Sequence, residues 1–225
     1  MQKNMENIEN RIWDITCSEE TFNSLRADDK FLNLLALARS VNALRFCFQP
    51  VIDAANSDKP SASRQRINSF LFASSVLYEG FLLVENLGKY FRDSDSFKNG
   101  FAIMLRDEKI RKLRTSALKR MRNKFVFHFD PDVPLEALTN FDLPNYRFAT
   151  GFGKATGEIY YGLADEAFMN YLLESKPEDT DETLNLHLRS LIKDVKDVMV
   201  KFNKSAELLI AEALLSMGWT VKIRE

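Results

Sequence analysis

The sequence predicts an all-α protein, a helical bundle with long antiparallel helices and one small β-hairpin insertion. Three observations carry this expectation. Apolar residues recur at helical spacing over most of the chain, the longest periodic stretch lies near the C-terminus, and glycine and paired aromatics concentrate in one short segment. At 225 residues, with 45% hydrophobic and 28% charged residues, the composition is that of a globular chain able to build one large core. A single domain over residues 1–225 is expected, with 1–28 as an N-terminal helical extension.

Phe31, Leu34, Leu35, Leu37, Ala38, Val41, Leu44, Arg45 and Phe48 give the 3.6-residue period of a first long helix, from about Asp29 to about Ala55. Asp28 and Asp29 suit its positive N-terminal end, and Pro50 disturbs its far end. Ser57-Asp58-Lys59-Pro60-Ser61 reads as a loop, with Ser61 or Ser63 as a cap for the next helix. That helix spans about Ala62 to Phe91 and carries Ile67, Phe70, Leu77, Phe81 and Val84. A strongly basic helix follows from about Asp107, and Asp130-Pro131-Asp132-Val133-Pro134 terminates it.

Tyr146–Phe152 and Glu158–Gly162, separated by glycine-containing turn composition, predict the hairpin within 145–163. The glycines there do not form a phosphate loop, because Lys154 is followed by alanine and no strand-loop-helix unit surrounds it. The last helix, over 181–217, has Leu184, Leu188, Leu191, Val195, Val198 and Phe202 on one stripe, with Thr180 or Asp181 as cap and Gly218 just past its end. At 1.5 Å per residue it is on the order of 50 Å long, and it either clasps the whole domain or supplies a dimer interface, the first being preferred.

The longest uninterrupted apolar runs, such as Gly80–Val84, are too short to cross a bilayer, and the polar Met1–Asn10 has no signal-peptide character. Cys17 and Cys47 have neither a disulfide-framework number nor metal-ligand spacing. A soluble, cytoplasmic protein with no membrane association is expected.

Charge is the most uneven property of the chain. Net charge is −1, yet Arg106–Lys124 holds nine basic residues against two acidic ones. Segregation of this kind creates a local positive field that attracts phosphates, although a run of charges also suits a solvated helix face paired with acids elsewhere. Arg111, Arg114, Lys119, Arg120 and Lys124 are the candidate contacts to a nucleic-acid backbone.

The run leads into Arg122-Asn123-Lys124-Phe125-Val126-Phe127-His128. Arginine offers a permanent charge and a planar fork for phosphate oxygens, and histidine titrates near neutral pH, so the pair suits phosphate stabilisation and acid/base transfer. Asn123 is placed to orient the histidine or a scissile phosphate. On an ideal helix Arg122 and His128 stand about 9 Å apart along the axis and roughly 120° apart around it. They meet one phosphate only if the helix loosens near Phe127 or a symmetric partner contributes a second pair. A structural alternative stays open: His128 falls on a stripe with Met121 and Phe125, and Arg122 is within reach of pairing with Glu79 or Glu85. His128, Asp130 and Asp132 read as a turn rather than as metal ligands.

Leu118–Asp130, with its arginine, adjacent amide and spaced histidine, resembles the signature of the HEPN superfamily. Leu37–Phe46 resembles the first long helix of abortive-infection relatives, and the aromatic hairpin followed by Leu163-Ala164-Asp165 is similar to theirs. The resemblance implies a bundle that dimerises so that both motifs line one cleft, and metal-independent RNA cleavage by attack of the 2′-hydroxyl on the adjacent phosphate, leaving a cyclic phosphate. It implies catalytic roles for Arg122, His128 and Asn123, RNA as substrate, no cofactor or metal, and a defence or toxin setting with an antitoxin or other regulatory protein as partner. A non-catalytic relative binding a protein or nucleotide through the same basic cleft is the alternative, since a fold does not guarantee a chemistry.

Overall fold

The computed structural model describes residues 13–53, 60–126, 150–151, 160–176 and 178–223. In chain order the elements are β1 (Trp13–Thr16), α1 (Glu19–Leu25), α2 (Asp29–Asp53), α3 (Pro60–Phe91), α4 (Asp95–Asn99), α5 (Phe101–Arg106) and α6 (Glu108–Leu113). Two π-helical stretches, Arg114–Leu118 and Met121–Val126, continue α6. After them come β2 (Thr150–Gly151), β3 (Tyr160–Tyr161), α7 (Gly162–Leu173), α8 (Asp181–Ser216) and β4 (Thr220–Ile223). The protein is an all-α bundle with the expected hairpin, in which β2 and β3 pair antiparallel through Thr150↔Tyr161 and Gly151↔Tyr160.

α2 begins where Asp28 accepts a hydrogen bond from the Phe31 backbone N–H at 2.8 Å, which satisfies one of the donors left over at a helix start. It buries Phe31, Leu34, Leu37, Val41 and Leu44, one stripe at steps of three and four. It also runs through Pro50 to Asp53, so that proline does not end it. α3 starts at Pro60, ahead of the serines expected to cap it, because the fixed φ of proline suits a first helical position whose N–H has no helical partner. Ser74 and Ser75 lie buried in its core face, their hydroxyls donating to the carbonyls of Phe70 at 2.7 Å and Leu71 at 3.0 Å.

By length and composition Asp29–Val51 and Gln65–Phe91 are apolar enough to cross a membrane. Neither forms an uninterrupted apolar run, because the apolar residues are interleaved with polar ones at helical spacing. In this fold the stripes of both helices are packed into the protein's own core.

α8 takes the clasping role. Its Val195, Val198, Met199, Phe202, Ala206, Leu209 and Ala213 join the core formed by α2, α3, α4 and α5. Phe202 lies against Phe81 and Phe101, ring centroids 5.3 Å away in each case and near edge-to-face. Gly80 makes this approach possible, since a Cβ there would sit 2.6 Å from Phe202 Cζ. Both ends of α8 are capped as the sequence predicts. Thr180 accepts from the Thr183 N–H, and Gly218, at φ +85°, closes a Schellman turn through Gly218 N–H to Leu215 O and Trp219 N–H to Leu214 O.

The N-terminal segment departs from the expected helical extension. β1 pairs antiparallel with β4, from Trp13↔Ile223 to Thr16↔Thr220, so a second two-stranded sheet ties the two ends of the chain together. Only the short α1 within 13–28 is helical before α2. Strands of four residues are too short to show periodicity, and their partners are about 200 residues apart in sequence.

A carboxylate on α8 holds α4. Glu212 accepts from the Ser96 hydroxyl, from the Ser96 N–H at 2.8 Å and from the Asp95 N–H at 3.2 Å. The Ser96 hydroxyl bond, with those backbone bonds, holds the Glu212 carboxyl below its ordinary value of 4.5 against the opposing effect of burial. A carboxyl with a depressed folded-state pKa stabilises the fold above its unfolded pKa and loses that contribution as pH falls through the folded one. Glu212→Gln is therefore expected to cost on the order of 1 kcal/mol at pH 7. In urea unfolding the difference from wild type should shrink as the pH drops below about 4.

Candidate functional site

The basic segment is the part of the bundle whose backbone least resembles the expected regular helix. Asp107 starts α6 by accepting from the Ile110 N–H at 3.0 Å. Ile110, Ala117, Leu118 and Met121 are buried, which docks the segment on the core along one side. After the six residues of α6 the backbone widens into the first π-helical stretch, and after Lys119 and Arg120 into the second. Loosening thus begins ahead of Phe127, the place where the sequence suggested it. Single π-helical turns insert a residue into the helical repeat and recur at functional sites. Ideal α-helical spacing therefore does not hold over Met121–Val126.

Arg122 and Asn123 sit on the second π-helical stretch and touch one another. The Arg122 Nε donates to Glu79 Oε1 of α3 at 2.6 Å, and its terminal NH1 donates to Asn123 Oδ1 at 3.0 Å. Arg122 is about one third exposed and Glu79 two fifths. Asn123 therefore orients the arginine in this arrangement. His128 lies outside the described residues, as do the side chain of Phe125 and the turn Asp130–Pro134.

The candidate backbone-binding residues divide into two groups. Arg114 pairs with Glu85 of α3 and lays its guanidinium 4.8 Å from the Phe81 ring centroid, with 13% of its side chain exposed. Arg120 pairs with Glu174, just past the end of α7. These two are bound into the protein. Arg111 is exposed and only 3.9 Å from Glu108, a weak contact, while Lys119 is exposed and has no ion pair among the described residues. Lys124 is partly buried. Nearby, Lys109 donates to Asp194 of α8 at 2.6 Å, and that hydrogen bond with the Asp194 charge raises the lysine above its ordinary value.

The positive field of the segment is consequently smaller than its composition suggests, because Glu79, Glu85 and Glu174 each neutralise one of its arginines. Exposed positive charge remains at Arg111, Lys112 and Lys119, along the outer face. Glu79 and Glu85 were within reach of a sequence argument, being acidic positions of an apolar helix. Glu174 was not: it is 54 residues from Arg120. At φ 52° Glu174 holds a backbone conformation that glycine adopts more easily. Among the described residues no three His, Cys, Asp or Glu side chains converge as a metal site.

Fold and site together define an all-helical protein with a basic π-helical segment that carries an arginine held by a carboxylate and an amide. No family model matches the chain, and comparison with curated proteins and with solved structures gives no match.

Proposed function

We propose that the chain is a metal-independent endoribonuclease of the defence or toxin type, acting as a homodimer whose two Arg122/His128 pairs share one cleft. In the proposed step His128 removes the proton of a ribose 2′-hydroxyl, and the 2′-oxygen forms a bond to the adjacent phosphorus. The bond from phosphorus to the 5′-oxygen breaks, and that oxygen takes up a proton. The products are a 2′,3′-cyclic phosphate and a 5′-hydroxyl. Arg122 stabilises the charge on the phosphorane oxygens, with its planar fork matched to them.

One observation supports the reading above the rest. Arg122 is neither buried like Arg114 nor loose in solvent: Glu79 and Asn123, among the described residues, orient it on a π-helical turn while part of it remains exposed. A preorganised donor of this kind is what stabilisation of developing charge requires. The pairing of Arg114 and Arg120 with carboxylates favours a second reading, a non-catalytic helical module that binds a protein partner or nucleotide.

The test uses the full chain with end-labelled single-stranded RNAs in excess chelator. Cleavage that yields cyclic phosphate and 5′-hydroxyl ends, from a species that light scattering sizes as a dimer, is the expected result. Cleavage that stops on chelation, a strictly monomeric species, or RNA left intact would overturn the ribonuclease, and intact RNA would leave the binding module.

A further inference from the structure

We propose that Glu79 is the positioning residue of this site, setting the plane of the Arg122 guanidinium before substrate arrives. The inference rests on the ribonuclease reading. Two ion pairs lie on the same helix. α3 presents Glu79 and Glu85, and the basic segment, running antiparallel to it, answers with Arg122 and Arg114 in reverse order. Similar in composition, the two pairs differ in surroundings.

Arg114 is almost enclosed, with its guanidinium over the Phe81 ring and its charge met by Glu85. That pair clamps the segment onto α3, and removing one partner would strand a poorly solvated charge. Arg122 is far more open and Glu79 more open still, so their pairing is screened by water and adds little to stability. Its geometry is nevertheless specific. Glu79 accepts the hydrogen bond from Nε, at one edge of the guanidinium, while Asn123 accepts one from NH1. One hydrogen bond leaves a planar group free to swing about that contact. Two at different edges fix the plane.

Fixing the plane matters because a long, flexible arginine must otherwise be ordered during the reaction. Glu79 also carries a cost: its negative charge next to Arg122 opposes the approach of a phosphate. A site selected only to bind RNA would do better without it, whereas a site that must aim the guanidinium benefits from it. Loss of the Glu79 charge should therefore lower cleavage without weakening binding, a separation that a purely structural role does not produce.

The experiment compares the full-length wild type with Glu79→Gln, Glu79→Asp and Glu85→Gln on one single-stranded RNA, with its 2′-O-methyl analogue as the binding probe. Glu79→Gln is expected to lower kcat by about 10–100-fold, the scale of a misplaced catalytic group, while KM and affinity for the analogue stay unchanged or tighten and Tm is unchanged. Glu79→Asp recovers part of kcat. Glu85→Gln lowers Tm without separating kcat from KM. If the wild type cleaves and Glu79→Gln keeps its kcat, or if kcat, affinity and Tm all fall together in Glu79→Gln, the positioning role is overturned and the ribonuclease stands. A wild type that does not cleave overturns both.

Discussion

Arg122→Ala and His128→Ala are each expected to lower the proposed RNA cleavage by about 10²–10⁴-fold, the range for losing an acid/base group or a donor to developing charge. The fold should survive both changes. Arg122 is partly exposed and its partner Glu79 more so, hence the carboxylate left behind is solvated, and the stability cost of Arg122→Ala is at most about 1 kcal/mol. Circular dichroism and Tm check that part. Single-turnover cleavage in chelator checks the rest, because it isolates chemistry from product release. Retention of cleavage by either variant would remove that residue from the mechanism. Arg122→Lys serves as the finer probe: it keeps the charge but cannot hold Glu79 and Asn123 at separate edges of a planar fork, so it should recover little.

Phe202→Ala carries the largest expected loss of stability, about 3–5 kcal/mol. Its ring is fully buried where α3, α5 and α8 meet, in edge-to-face contact with Phe81 and Phe101. The absence of a side chain at Gly80 lets the ring come so near α3, and that tight fit leaves neighbouring helices little means of closing the cavity. For a domain with total stability of about 5–15 kcal/mol, such a loss moves the urea midpoint far below that of wild type. A midpoint within the spread seen for exposed substitutions would mean that α8 does not organise the core. Activity at low temperature should persist in the fraction that remains folded, which separates this substitution from those at Arg122.

The long helices, with the start of α2 and both ends of α8, were determined by the sequence. The stripes of α2, α3 and α8, the Asp28 and Thr180 caps and the Gly218 turn all follow from periods of three and four residues and from side chains that satisfy backbone groups next to them. Such signals act over a single turn, so a linear string carries them. The hairpin belongs with them, being built from neighbouring residues.

Only the tertiary structure decided the rest. The sheet of β1 and β4 depends on bringing the two ends of the chain together, and each strand alone has too few residues to declare itself. The π-helical stretches have no composition of their own. Buried Ala117, Leu118 and Met121 anchor the segment that contains them, and Arg114, Arg120 and Arg122 are tied to acids on other elements. Nine basic residues in one run announced a positive segment, but a charge's effect depends on which opposite charge the fold brings beside it. The chain thus names Arg122 as a phosphate-binding candidate beside its sequence neighbour Asn123, and folding brings Glu79 to it.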